Sequence, residues 1–372
     1  MPTFWVTLLL VAPLLGGCGD DPTPQSANFE KSGPFAAGVT TFVEQGREVV
    51  MWYPADRGAV AGLEPDLYYV RDYLPDFIDA LLPPDANPPM VTDAFRGAAP
   101  ADGRFHTVVF AHGFASFPTQ SSFLTSHLAT WGFVVVAPAY EERSLASALG
   151  APPAVPLEDV EVSRLAVEVA RRADEGDPAL QSDYPGGGSA FAGRIETARV
   201  AIVGHSAGGG SSVRFAAEPD VIAYVPLSAG FRDDGMPLPG KPSLWLTGAI
   251  DQVVSLERVE AAFAAAASPA GLVVVEDAGH LAPTDLCAIG EEGGGIVQIA
   301  LDGGLPVPEN LQRLGTDGCQ EGALPVREGW PVFKSYVAGF LQGQFAGNEG
   351  VGIPDADDTA RFMPAVVHYA EK

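Results

Sequence analysis

Val200-Ala201-Ile202-Val203-Gly204-His205-Ser206-Ala207-Gly208-Gly209-Gly210 is the stretch whose reading decides the fold. An apolar run of strand length ends in Gly-His-Ser-Ala-Gly, and small residues of helical character follow. This is the G-x-S-x-G pattern in strand–turn–helix context. A turn this sharp holds the serine in strained dihedrals, and glycines on either side let strand and helix approach where a Cβ would clash. The serine hydroxyl is then thrust out at the carboxyl edge of a sheet and the amino end of a helix, where free N–H groups favour developing negative charge. Ser206 is therefore the expected nucleophile; the plainer alternative is a tight turn in which it only caps the helix.

A serine hydroxyl needs a base, and the base needs an orienting group. The chain holds six histidines. His205 adjoins Ser206 and is expected to point away from it; His106 and His112 flank a strand, His127 lies in a helical run, and His368 is near the end. His280 follows the apolar run Leu272–Val275 in the loop Asp277-Ala278-Gly279-His280, where a parallel sheet can return a base to the serine. The orienting carboxylate is expected at Asp251, just past Leu244-Trp245-Leu246-Thr247-Gly248, with Asp277 and the pair Asp233 and Asp234 as rivals. The order Ser206, Asp251, His280 is one a parallel sheet with this serine turn uses. An oxyanion needs two backbone donors. One is the N–H of Ala207; the other is expected at Phe114, because Thr107–Ala111 is an apolar strand running into His112-Gly113-Phe114.

Around these parts the chain alternates strand and helix patterns. Val39–Glu44 and Glu48–Tyr53 read as a hairpin about Gln45-Gly46. Phe123–Trp131 and Glu158–Asp174 read as helices, the second with Val162, Leu165 and Val169 on one face. Phe133–Ala137, Val221–Leu227, Ser243–Thr247 and Gly271–Glu276 read as strands, Ser255–Ala267 as a helix, and Gly329–Phe345 as a closing helix opened by Trp330-Pro331. Alternation of this kind implies a mostly parallel sheet covered on both faces. Residues 59–103 and 281–325 are insertions; in the first, a helix is expected near Leu67–Leu82. No phosphate loop of the G-x-x-x-x-G-K type and no paired Cys or His at zinc spacing occurs, so neither a nucleotide, a metal nor any other cofactor is expected.

The chain has 372 residues and a formal net charge of −26, which speaks against nucleic-acid and anionic-membrane partners. Phe4–Leu15 is apolar yet too short to span a bilayer, and reads as a leader over residues 1–17. It ends in Leu15-Gly16-Gly17-Cys18, which resembles a bacterial lipoprotein cleavage site, although no Lys or Arg precedes the run. Cys18 would then carry the lipid and be the only contact with a membrane, with residues 18–34 a flexible tether, and the protein would be exported to the outer membrane, the periplasm or the medium. Cys287 and Cys319 remain as a pair in an oxidising compartment, and a bridge between them is worth on the order of 3–4 kcal/mol. Residues 35–346 are expected to form one domain, monomeric, with 347–372 a tail.

Gly204-His205-Ser206-Ala207-Gly208-Gly209-Gly210, His112-Gly113-Phe114-Ala115, Gln120-Ser121-Ser122 and Leu128-Ala129-Thr130-Trp131-Gly132-Phe133-Val134-Val135 together resemble the α/β-hydrolases that include bacterial cutinases and polyester hydrolases. Met51-Trp52-Tyr53-Pro54-Ala55 is similar to the platelet-activating-factor acetylhydrolase and dienelactone hydrolase relatives. The resemblance implies an α/β-hydrolase fold, a mostly parallel central sheet of about eight strands with helices on both faces. It also implies a serine carboxylic-ester hydrolase acting through an acyl-enzyme on short- to medium-chain esters, with polyesters and lipid esters among the candidates. His112 and Gly113 would border the substrate, and Gly230 and Phe231 occupy the place where cutinases carry a clamping tryptophan. Neither insertion has a counterpart in compact cutinases. A peptidase or acyltransferase on the same three residues, and a non-catalytic surface binding protein on the same scaffold, are the competing readings.

Overall fold

A computed structural model describes residues 28–230 and 237–372, so Cys18 and the leader, together with Phe231, Asp233 and Asp234, lie outside the described residues. The chain opens with an antiparallel hairpin, β1 (Ala36–Glu44) and β2 (Arg47–Ala55), turning at Gln45-Gly46, both of which have positive φ. There follow β3 (Phe105–Ala111), β4 (Phe133–Pro138), β5 (Ile195–His205), β6 (Val221–Leu227), β7 (Ser243–Gly248) and β8 (Ala270–Val275). In space they run β1-β2-β4-β3-β5-β6-β7-β8, and every pair from β4 to β8 is parallel. This is the α/β-hydrolase fold, with the serine turn at the end of its central strand.

Helices α1 (Ser122–Thr130), α2 (Asp159–Asp174), α3 (Ala207–Phe215) and α4 (Leu256–Ala265) cover the sheet. Because both faces are buried, side chains of one strand alternate between two cores, and the strands read as continuous apolar runs. Val108, Phe110, Ala201 and Val203 pack with Phe123, Leu124 and Leu128 of α1 on one face. Val109, Ala111, Val200 and Ile202 pack with Val162, Val169 and Ala170 of α2 and with Phe215 of α3 on the other. At the start of α2, Glu161 accepts a bond from the Glu158 N–H at 2.8 Å, a capping box that fixes its first turn.

The insertions depart from the sequence expectation. No helix spans Leu67–Leu82: Pro75 removes a donor and holds Leu74 extended at ψ 147°, so the segment breaks up. It forms instead a strand Leu67–Tyr69 paired with Pro89–Val91, a tight turn Val70–Tyr73 and one helical turn Asp76–Asp79. The second insertion carries α5 (Gly295–Asp302) and α6 (Glu309–Leu314), and the Cys287–Cys319 disulfide is formed.

The closing helix, α7 (Val326–Phe345), starts a turn earlier than Trp330-Pro331 suggests. Pro331 therefore sits inside it and leaves the Arg327 carbonyl without a helical donor. Residues 347–372, set apart by sequence as a tail, carry β9 (Val367–Glu371), which pairs antiparallel with β8 and covers the edge of the sheet. No helix among the described residues is long and apolar enough to cross a membrane.

Candidate active site

The site begins with a close contact. A Cβ on Gly204 would lie 2.0 Å from the Gly208 carbonyl oxygen, and one on Gly208 would lie 2.0 Å from that of Ala111. Strand β5, helix α3 and strand β3 can meet this closely only because both positions are glycine. Ser206, between them, is held at φ 55° and ψ −117°, where non-glycine residues are rarely found.

His280 is brought to Ser206 from the loop after β8. Its Nε2 lies 2.9 Å from Ser206 Oγ, and its Nδ1 lies 2.8 Å from Asp251 Oδ2. A carboxylate only accepts, so Nδ1 carries the proton and Nε2 is left to accept from the serine hydroxyl. Asp251 follows β7, as expected, and its other oxygen accepts from the N–H groups of Val253 and Val254 at 2.8 and 2.7 Å. Both side chains of the pair are fully shielded from water. Asp277, the rival within the described residues, makes no side-chain bond to the imidazole; it takes a positive φ of 55° and accepts from Leu324 N–H through its carbonyl. Among the described residues, the amides of Phe114 and Ala207 have no hydrogen-bond partner.

Two of the residues expected along the substrate do not line the cavity above Ser206. His112 is completely buried: it accepts from the Tyr140 N–H at Nε2 (2.9 Å) and donates from Nδ1 to the Gly113 carbonyl (2.9 Å), shaping the loop from behind. Gly230 packs against Arg258, 3.0 Å from its Cβ as measured from an added methyl. Gly113 does line the cavity, and Phe231 lies outside the described residues.

A side chain that sequence reasoning passed over joins the parts. Gln120 is buried; its Oε1 accepts from the Gly113 N–H at 2.8 Å and its Nε2 donates to His205 Nδ1 at 3.0 Å. His205 in turn donates from Nε2 to the His280 carbonyl at 2.9 Å. The chain of bonds runs from the Phe114 loop, through the serine turn, to the imidazole loop. Gln120 stands in the polar stretch Gln120-Ser121-Ser122 that carries part of the resemblance, yet nothing in that stretch announces its partners.

Asp317 is a second residue missed. It lies in the second insertion, two residues before Cys319, and accepts from the N–H groups of His280 (3.3 Å) and Gln252 (2.8 Å). Burial pushes its carboxyl up from the usual range. A Cβ on Gly279 would fall 2.5 Å from Gly318 Cα, so insertion and imidazole loop are in backbone contact. Asp285 does the corresponding work at α1, accepting from the N–H groups of Ser122 and Phe123 and from the hydroxyls of Ser122 and Tyr68. It thereby ties both insertions to the start of one helix.

Above Ser206 the two insertions enclose a cavity of about 170 Å³ whose walls are mostly aliphatic. Val70, Leu74 and Leu82 come from the first, Leu286, Ile299 and Leu305 from the second, and Ser206, His280 and Phe114 form the floor and mouth. Among the described residues no three His, Cys, Asp or Glu side chains are grouped to hold a metal ion.

No family model matches the chain. A bis(hydroxyethyl) terephthalate hydrolase of Streptomyces coelicolor is similar to it, 28% identical over 154 residues. That match covers 39% of this chain and 39% of the length of the relative. The relative is named as a hydrolase, and the match spans well under half of either chain.

Asp317→Ala leaves two N–H groups without their acceptor, that of His280 buried, and is expected to cost about 1–3 kcal/mol in urea unfolding, whereas Asp317→Asn, which keeps an acceptor oxygen, loses less. Equal loss in the two variants would show that the carboxamide oxygen does not replace the carboxylate. Burial also drives His112, His127 and His205 down to about 3. These folded-state values lie below that of an unfolded histidine, so acidification from pH 6.5 to 5 protonates only the unfolded chain and stability falls. Asp285 and Glu48, each raised to about 6 by burial, act in the opposite sense. His127→Gln therefore lowers the dependence of unfolding free energy on pH in this window by about 1 kcal/mol per unit; an unchanged slope would contradict the burial of a neutral ring.

Proposed function

We propose that the protein is a serine hydrolase of carboxylic esters working through an acyl-enzyme. Ser206 Oγ attacks the ester carbonyl as His280 Nε2 takes its proton, and the same nitrogen then gives the proton to the leaving alcohol. Asp251 keeps the proton on Nδ1 and stabilises the imidazolium that forms. The N–H groups of Phe114 and Ala207 receive the oxyanion, a pairing in which each donor is worth about 3–4 kcal/mol to the transition state. Water, activated by His280, then attacks the acyl-enzyme and releases the acid.

The single observation that carries this reading is the unbroken line Asp251–His280–Ser206, 2.8 and 2.9 Å, beside two amides with no partner among the described residues. Substrates in this reading are short- to medium-chain esters, with polyesters and lipid esters in the same chemical class; the terephthalate ester named for the relative belongs to it. A fluorophosphonate probe is expected to label the folded protein, and Ser206→Ala to abolish both labelling and nitrophenyl-ester turnover. Asp251→Asn, which permits the wrong imidazole tautomer, should lower kcat by about 10³–10⁴. A folded wild-type chain that takes no label would instead favour a binding protein on a hydrolase scaffold.

The reading includes export and a lipid on Cys18. It is supported by the apolar run ending in Leu15-Gly16-Gly17-Cys18 and by a Cys287–Cys319 bridge of the kind oxidising compartments sustain. Labelled palmitate fed to expressing bacteria should enter the protein and be lost in Cys18→Ser; no incorporation into the parent chain would rule the anchor out.

A further inference from the structure

The cavity over Ser206 is walled mostly by segments outside the central sheet. Leu74 and Leu82 of the first insertion face Ile296, Ile299, Leu305 and Leu311 of the second, all lining one space. The second insertion is closed on itself by Cys287–Cys319 and fastened to the imidazole loop by Asp317, while Asp285 binds it to Tyr68 of the first. Such bracing fixes the shape of the space rather than leaving it to collapse on ligand entry.

We propose, resting on the ester-hydrolase reading, that this space is the acyl site and that it selects unbranched aliphatic acyl groups of about six carbons. The size follows from volume: about 170 Å³ compares with a cavity of about 150 Å³ that stays dry and accepts benzene, so it sets a guest of about six carbons and leaves its shape to the walls. The aliphatic preference follows from the walls. Of the aromatic rings at the cavity, Phe117 is already stacked on Tyr73, centroids 4.4 Å apart and planes 3° from parallel, so one of its faces is taken. Phe114 stands half exposed at the mouth. A partly covered site suits the acyl rather than the alcohol part, because the acyl group stays on Ser206 through both steps while the alcohol must leave to water after the first.

Nitrophenyl esters from acetate to dodecanoate, and acetate esters of a matching alcohol series, test this on the full chain. Each buried methylene strengthens transition-state binding about fourfold, so kcat/KM should rise from acetate to hexanoate by tenfold to a few hundredfold and then level off. The alcohol series should be nearly flat. Ala300 lines the same space, and Ala300→Phe should reduce the hexanoate-to-acetate ratio at least tenfold, while Leu311→Ala moves the optimum to longer chains. Labelling by a small fluorophosphonate reports whether Ser206 and His280 remain assembled in each variant. Calorimetric binding of hexanoate to Ser206→Ala, weakened by Ala300→Phe, reads the pocket without catalysis. A flat acyl profile in labelled enzyme, a benzoate ester preferred over hexanoate, or a steep alcohol series would each overturn the proposal. Absence of label together with hexanoate binding would overturn the hydrolase reading and leave the pocket standing.

Discussion

Everything in this site depends on how close a strand and a helix can come. Gly204 and Gly208 bring β5, α3 and β3 within a distance no side chain would permit, and the cost is borne at Ser206, whose backbone is forced to a positive φ. Strain of that kind persists only where the surroundings over-determine it. Here the Ser206 N–H donates to the Leu227 carbonyl and its own carbonyl accepts from Gly209, so both ends of the residue are held. The hydroxyl is thereby presented at a fixed place, with the first turn of α3 beneath it.

A fixed serine is of use only if its partners are equally fixed, and these come from loops. The loops are held by buried polar bonds, which in a low-dielectric interior are strong when complete and costly when broken. Gln120 and His205 link the Phe114 loop to the imidazole loop, and Arg143 supports the former by donating to the His112 carbonyl and accepting from Ala115 N–H through its own. Arg143 also pairs with Asp159, which accepts from Ser211 of α3, so the same network returns to the helix behind the serine. His205 is held neutral by burial, which suits a ring that must accept at one nitrogen and donate at the other.

The sheet was legible in the chain because strands buried on both faces announce themselves as unbroken apolar runs, and α2 because its periodicity and cap agree. Ser206, Asp251 and His280 were legible because each follows such a run. Local sequence did not reveal Pro75 as the residue that splits the first insertion, nor the strand carried by residues 367–371, whose partner β8 lies about a hundred positions earlier. Gln120, Asp285 and Asp317 were invisible for a related reason: their roles are set by what folds against them, and a buried glutamine has no pattern of its own. His112 was misjudged because adjacency to a functional loop does not tell which side of the backbone a ring takes.

The division between sheet and roof has a consequence for how such a protein can change over generations. Residues that assemble the reacting groups lie on the scaffold, while those that shape the space above them lie on two excursions from it. Exchanges such as one aliphatic side chain for another on α5 or α6 can remodel what is admitted and leave the chemistry intact. Asp317 and Asp285 are among the places where the two layers are fastened together, so drift in the roof is most constrained where its residues bond to the scaffold.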